Sequence, residues 1–157
     1  MVEKSIDYEL VNLSRSDGDL QSEAHLSRNP RGRVPVLEDG TLTLHESQAI
    51  VEYLEEQFPQ PALLSSDIVA RAHMRIEEME CVLYFTEALV KIGRNIFMIP
   101  EDKRDLDKVA NSLASTTAEV AKFDTRAAAR GGPYVMGEEL SRADFTWLPF
   151  IELVGRA

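Results

Sequence analysis

At 157 residues the chain is long enough for one domain, or two small ones, with a core of their own. Apolar residues make up 44% and charged residues 28%, which excludes a disordered polymer, and a formal charge of −10 with no basic stripe argues against a nucleic-acid partner. The one cysteine, Cys81, excludes an internal disulfide framework, no apolar run approaches the roughly 20 residues of a membrane span, and Met1 to Asp7 has no signal-peptide core, so the expected location is the cytoplasm.

In chain order, Val2 to Asp7 reads as the last turn of a helix and its exit, and Tyr8 to Leu13 alternates like a strand. Ser14 to Gly18 is polar and turn-rich. Leu20 to Leu26 can form a short helix carrying His25, and Asn29-Pro30 ends it, since a residue before proline avoids the helical region. Val34-Pro35-Val36-Leu37 is a short apolar strand whose proline cannot donate, which places it at a sheet edge or a ligand edge. Asp39-Gly40 predicts a two-residue hairpin turn with both residues at positive φ, and Thr41 to Leu44 alternates as the half-buried return strand. Glu46-Ser47 then opens a helix with Ala49, Ile50, Tyr53 and Leu54 on one face, and Phe58-Pro59-Gln60-Pro61 stops it and reads as a linker.

From Asp67 onward the pattern is helical. Ile68, Ala72, Ile76, Met79, Leu83 and Val90 predict the apolar stripe of a long helix ending near Gly93. Pro100 with Glu101 and Asp102 marks a second helix start, carried by Leu106, Val109, Ala110, Leu113, Thr117, Val120 and Ala121 and broken at Gly131-Gly132-Pro133. Ser141 opens a third helix. Its hydroxyl is expected to accept from the Asp144 amide while the Asp144 side chain reaches back, a capping box that makes Asp144 structural.

The chemistry gathers between Asn29 and Leu54. A serine and a carboxylate at a helix start, beside a strand edge with unpaired backbone, make a place for a small zwitterionic or anionic peptide. Two motifs in this stretch, Asn29-Pro30-x-Gly32-Arg33-Val34-Pro35-Val36-Leu37 and Leu44-His45-Glu46-Ser47-Gln48-Ala49-Ile50, joined by the hairpin, resemble the glutathione-binding half of the glutathione transferase family. The resemblance implies a thioredoxin-like domain over residues 1–60 followed by an all-α domain over 66–157. It also implies that both are incomplete: the family's first strand and most of its first helix have no counterpart, and neither do its last helices. The residue that activates the thiol (Tyr, Ser or Cys in the family) follows that first strand, so the catalytic residue is unknown and a fragment is expected.

Carried over position by position, the resemblance implies that the Val34 backbone pairs with the cysteinyl part of glutathione, that Pro35 is cis, and that Glu46 and Ser47 hold the γ-glutamyl amine and carboxylate. Arg33 could reach a glutathione carboxylate or stand as a solvated surface arginine, whereas Gln21 offers no charge where several relatives carry a basic residue. Ser47 could instead cap its helix. His25 and His45 lack partners at ligand spacing, so neither a metal site nor a triad is supported, and both are read as surface or partner-satisfied histidines. Cys81 sits mid-helix with nothing local to lower its pKa. Tyr84, Phe85, Ile96 and Phe97 are candidates for a second-substrate pocket, against the plainer reading as core. The implied activity is attack of glutathione thiolate on a small electrophile by a homodimer engaged in detoxification. The alternatives are a glutathione-dependent isomerase and a non-catalytic binding or assembly module.

Overall fold

The computed structural model describes residues 1–155, the side chains of Phe97 and of 153–155 excepted, so the last two residues of the expected second domain lie outside the described residues. The chain divides into two units, Met1–Leu63 and Leu64 onward.

The first unit opens with a 3-10 turn, Val2–Lys4, that leaves through Ser5 at φ 50°. Lys4 fixes this turn to the far end of the unit. Its Nζ donates to the carbonyls of Phe58 and Pro61, both at 2.7 Å, and lies 2.7 Å from Glu55 Oε2, while Glu55 Oε1 accepts from Leu63 N at 3.0 Å. The strand expected over Tyr8–Leu13 does not form. A strand is secured by a hydrogen-bonded neighbour, and among the described residues none pairs with this segment, whose Tyr8, Leu10 and Val11 side chains remain exposed. A 3-10 turn at Asp19–Gln21 then leads into helix α1 (Glu23–Arg28).

Strands β1 (Val36–Asp39) and β2 (Leu42–His45) pair antiparallel, Val36 opposite His45 and Asp39 opposite Leu42. The turn differs from expectation. Its two free residues are Gly40 and Thr41, and only Gly40 has positive φ, at 58°, while Asp39 ends β1. A hairpin with its left-handed residue at the first central position needs one glycine rather than two permissive residues. Helix α2 (Ser47–Gln57) follows directly.

The second unit is helical. Helix α3 (Ile68–Met79) runs without a break through a π-helical turn (Glu80–Phe85) into helix α4 (Thr86–Phe97), and helices α5 (Leu106–Arg130) and α6 (Arg142–Gly155) complete it. Asp67 caps α3 by accepting from the amides of Val69 and Ala70. Pro100 to Lys103 forms only a short 3-10 turn, because Asp105 is the cap that starts α5, accepting from Lys108 N at 3.1 Å.

The apolar stripe expected on the first long helix is not the buried one. Ile68, Ile76, Met79, Leu83 and Val90 are exposed, as are Leu106 and Leu113 on α5. The face turned inward carries Met74, Cys81 and Phe85 together with Glu77 and Glu78, against Val135, Ala143 and Trp147. Trp147 packs on Phe85 and Phe123 at centroid distances of 5.2 and 4.2 Å and donates from Nε1 to the Glu77 carbonyl at 3.1 Å.

The two buried acids are tolerated because each is met by arginine. Arg126 and Arg130 of α5 close on Glu77 at 2.8 and 2.6 Å, and Arg142 of α6 forms two hydrogen bonds with Glu78 at 3.0 and 2.9 Å. An apolar period cannot announce a buried face of this composition.

Helix α4 runs through Gly93 rather than stopping at it. A Cβ at Gly93 would meet nothing within 4 Å. Gly93→Ala is therefore expected to stabilise the chain by about 0.5–1 kcal/mol through reduced backbone entropy of the unfolded state, read as a rise in thermal midpoint. An unchanged or lowered midpoint would contradict the helix interior described.

Candidate functional site

The site begins with the way α1 ends. Ser22 caps the helix by accepting from His25 N at 3.2 Å, and one turn later His25 and Asn29 are both buried. With its proton on Nε2, His25 donates to the carbonyl of Arg33 at 3.1 Å, and Asn29 Nδ2 donates to the same oxygen at 2.8 Å. Asn29 Oδ1 accepts from Arg31 N at 3.0 Å and its carbonyl accepts from Gly32 N at 2.9 Å, which closes the turn after Pro30. Gly32 has φ 58°, and a Cβ there would come within 2.8 Å of the Leu20 carbonyl and 2.7 Å of Gln21 Nε2, so the chain can pass this point only as glycine. Arg33 thus has its carbonyl held inward by two buried side chains, while the next residue, Val34, is 59% exposed.

The Val34–Pro35 peptide bond is cis and lies just ahead of β1, whose outer edge has no neighbouring strand among the described residues. The ladder ends with Val36 opposite His45, so Pro35 and Glu46 are the residues that leave the two strands at the same end of the hairpin. The proline bend and the start of α2 therefore meet at one end of the hairpin.

That helix start is unusual. Glu46, the capping position, adopts φ 73° and ψ 114° and makes no side-chain capping bond, while Ser47 is the first helical residue. A non-glycine residue in this region costs about 1–3 kcal/mol, which the surrounding fold must supply. Ser47 does not cap its helix, contrary to that alternative reading. Its hydroxyl and amide have no protein partner among the described residues, and an uncapped helix start offers outward N–H groups and a positive dipole end to an anion. Arg33, Val34, Pro35, Glu46 and Ser47 are all exposed. What gathers here is a backbone edge, a carboxylate, a hydroxyl and a helix N-terminus, with Arg33 on the adjoining loop.

Outside this corner the candidate residues have structural tasks. Cys81 is fully buried and its Sγ lies 3.5 Å from the Thr146 carbonyl. Burial pushes its thiol up to about 12, with a smaller lift from the Glu77 charge and a bond to Thr86 acting the other way. Such a thiol is not a nucleophile at neutral pH. The Asp144 carboxylate accepts from Val135 N at 2.7 Å and from the amide and hydroxyl of Ser141, both at 2.8 Å. The expected direction is thus reversed for Ser141, whose hydroxyl donates to the carboxylate, because Asp144 N bonds the Ser141 carbonyl at 3.1 Å. Phe85 lines no second-substrate pocket, since it is 1% exposed and packed on Trp147. Tyr84 is exposed and Ile96 half-buried, and the side chain of Phe97 lies outside the described residues.

Convergence of His25 and Asn29 on one carbonyl escapes sequence reasoning. The available signal is their spacing of four at the end of a helix, with an Asn-Pro pair closing it.

Residues 1–56 match the family model of the glutathione S-transferase N-terminal domain. The chain is similar to a maleylacetoacetate isomerase of Pseudomonas aeruginosa, with 51% identity over 76 residues covering 46% of this chain and 35% of the relative. It is similar to glutathione S-transferase Z2 of Arabidopsis thaliana, with 30% identity over 158 residues covering 94% of this chain and 66% of the relative. Among solved structures it resembles the theta class glutathione S-transferase of Xanthomonas axonopodis pv. citri with glutathione bound, at 28% identity and a TM-score of 0.83, covering 98% of this chain and 73% of that one. The chain thus spans about a third of the isomerase and just under two-thirds of the Arabidopsis relative.

Proposed function

The chain belongs to the glutathione transferase family, and from that premise we propose that the corner between the cis-proline bend and α2 holds glutathione for attack on a small electrophile. The observation that carries this reading is the juxtaposition of an exposed, unpaired Val34 backbone with an uncapped helix start at Ser47. The cysteinyl unit adds to the Val34 edge as an extra strand would. Its γ-glutamyl carboxylate meets the Ser47 hydroxyl and the first-turn amides, and its ammonium meets Glu46. Arg33 is within the same loop for the other carboxylate. Held this way, the thiol is displayed at the proline bend, where conversion to thiolate gives the nucleophile for conjugation.

The test is retention on immobilised glutathione and its affinity by calorimetry. Ser47→Ala is expected to weaken binding by about 10- to 100-fold, the worth of a hydrogen bond to a charged group, with the thermal midpoint unchanged because Ser47 caps nothing. Equal affinity in the variant would overturn the assignment.

A second reading is an isomerase, favoured by the 51% identity to the Pseudomonas aeruginosa relative within a 76-residue span. Both readings use the same tripeptide site. Conjugation consumes glutathione mole for mole, whereas isomerisation through reversible thiol addition returns it, so thiol titration during turnover separates them. We further infer a cytoplasmic, detoxifying homodimer. Among the described residues no helix is long and apolar enough to cross a membrane, and Ile76, Met79 and Leu83 leave an apolar helix face open to a second copy.

A further inference from the structure

We infer that Lys4 is a positioning residue for the glutathione site, acting through α2, whose far end it fastens. Glutathione as a readout rests on the tripeptide reading given above, whereas the fastening consists of contacts within the first unit alone. The Val2–Lys4 turn is closed by its own bonds, Lys4 N to the Met1 carbonyl at 3.1 Å and Ser5 N to that of Val2 at 2.9 Å. Val2 and Glu3 are exposed, so Lys4 is the side chain of the three that turns inward.

That side chain is 5% exposed, and its ammonium, with three donors, faces three oxygens: the Phe58 and Pro61 carbonyls and Glu55 Oε2, each at 2.7 Å. Phe58 is the residue that ends α2, so the cation sits where the helix dipole is negative. Glu55, 6% exposed, extends the fastening, since its Oε1 accepts from Leu63 N at 3.0 Å. A second link from α2, Tyr53 to Asp39 at 2.7 Å, is open to solvent, where competing water weakens it.

The opposite end of the helix lacks such a hold. Glu46 makes no side-chain capping bond and stands at φ 73°, so the first turn is placed by the body of α2 rather than by a cap. Ser47 precedes Glu55 by eight residues, about 12 Å along the axis at the usual rise. A helix this short moves as a unit, and release at its fastened end displaces the Ser47 hydroxyl and the outward amides. Their grip on a carboxylate is steep in distance, because a hydrogen bond is lost beyond about 3.5 Å.

The test compares the wild-type chain with Lys4→Met and with the double variant Lys4→Met, Glu55→Gln, by calorimetric glutathione titration and amide hydrogen exchange. Lys4→Met alone strands the buried Glu55 carboxylate and is expected to lose stability. The glutamine removes that charge and keeps an acceptor for Leu63 N, so the double variant should regain most of its thermal midpoint while still lacking the bonds to Phe58 and Pro61. Its glutathione affinity should stay about fivefold or more below wild type, at an unchanged stoichiometry. The Ile50 amide, which bonds the Glu46 carbonyl at 3.1 Å, should exchange about tenfold faster, with the Leu26 amide of α1 unchanged. Both amides belong to one chain, so a residual loss of overall stability does not blur the comparison. Wild-type affinity in the double variant, or an Ile50 amide accelerated no more than Leu26, would reduce Lys4 to a stabilising contact and overturn the assignment. A wild-type chain that binds no glutathione, with Ile50 selectively accelerated in the variant, would strike the tripeptide reading alone.

Discussion

Arg142→Met is expected to destabilise the chain by about 3–5 kcal/mol, the loss seen when one partner of a buried ion pair is removed and the other left behind. The residue is 3% exposed and its guanidinium forms two hydrogen bonds with Glu78, itself 2% exposed, so α6 is tied to α3 by a pair that water does not reach. Methionine approximates the volume of arginine without its charge, so the variant strands the Glu78 carboxylate in the core instead of opening a cavity. Against a total stability of about 5–15 kcal/mol this is a large fraction, and it corresponds to a fall in thermal midpoint of roughly 10 °C or more. Glu78→Met with Arg142→Met should recover most of the loss, because apolar replacement of both partners removes the desolvation penalty along with the attraction. A double variant as unstable as Arg142→Met alone would show that packing, not charge, is what Arg142 contributes.

The contrast between the two units explains what a reader of the sequence can and cannot see. The corner from Asn29 to Leu54 was legible because its parts are local: a proline that cannot donate, an aspartate-glycine pair near a turn, and a serine at a helix start. Even there, the turn residues shifted by one and Glu46 took a left-handed conformation that no propensity forecasts. In the helical unit the period was right and the face was wrong. Ile76, Met79 and Leu83 form the more apolar row, yet the inward row carries Glu77 and Glu78, whose burial depends on arginines some 50 to 65 residues further on. Such a contact is defined by tertiary pairing, and a single helix does not encode it. Tyr8–Leu13 failed for the complementary reason, since alternation describes a strand's faces but not the neighbour that completes its ladder.

The second large effect concerns acid. Glu77 is fully buried, and burial by itself raises its carboxyl pKa, but hydrogen bonds and charge from Arg126 and Arg130 outweigh that and hold the pKa below the ordinary carboxylate value. A carboxyl whose folded pKa lies below its unfolded one adds stability that is fully present above the unfolded value and is lost as pH falls through the folded one. The chain should therefore hold its stability from neutral pH down to about pH 5 and lose it progressively below about pH 4. Glu77→Gln removes this contribution. At pH 7 the variant should be less stable by about 2–3 kcal/mol, less than for Arg142→Met, because Arg126 and Arg130 are 28% and 24% exposed and can turn to water once released. Its stability should then fall less steeply than that of the parent chain between about pH 5 and pH 3. Denaturant melts at several pH values give both slopes, and parallel curves for the two proteins would place the acid-sensitive charge elsewhere than on the α3–α5 pair.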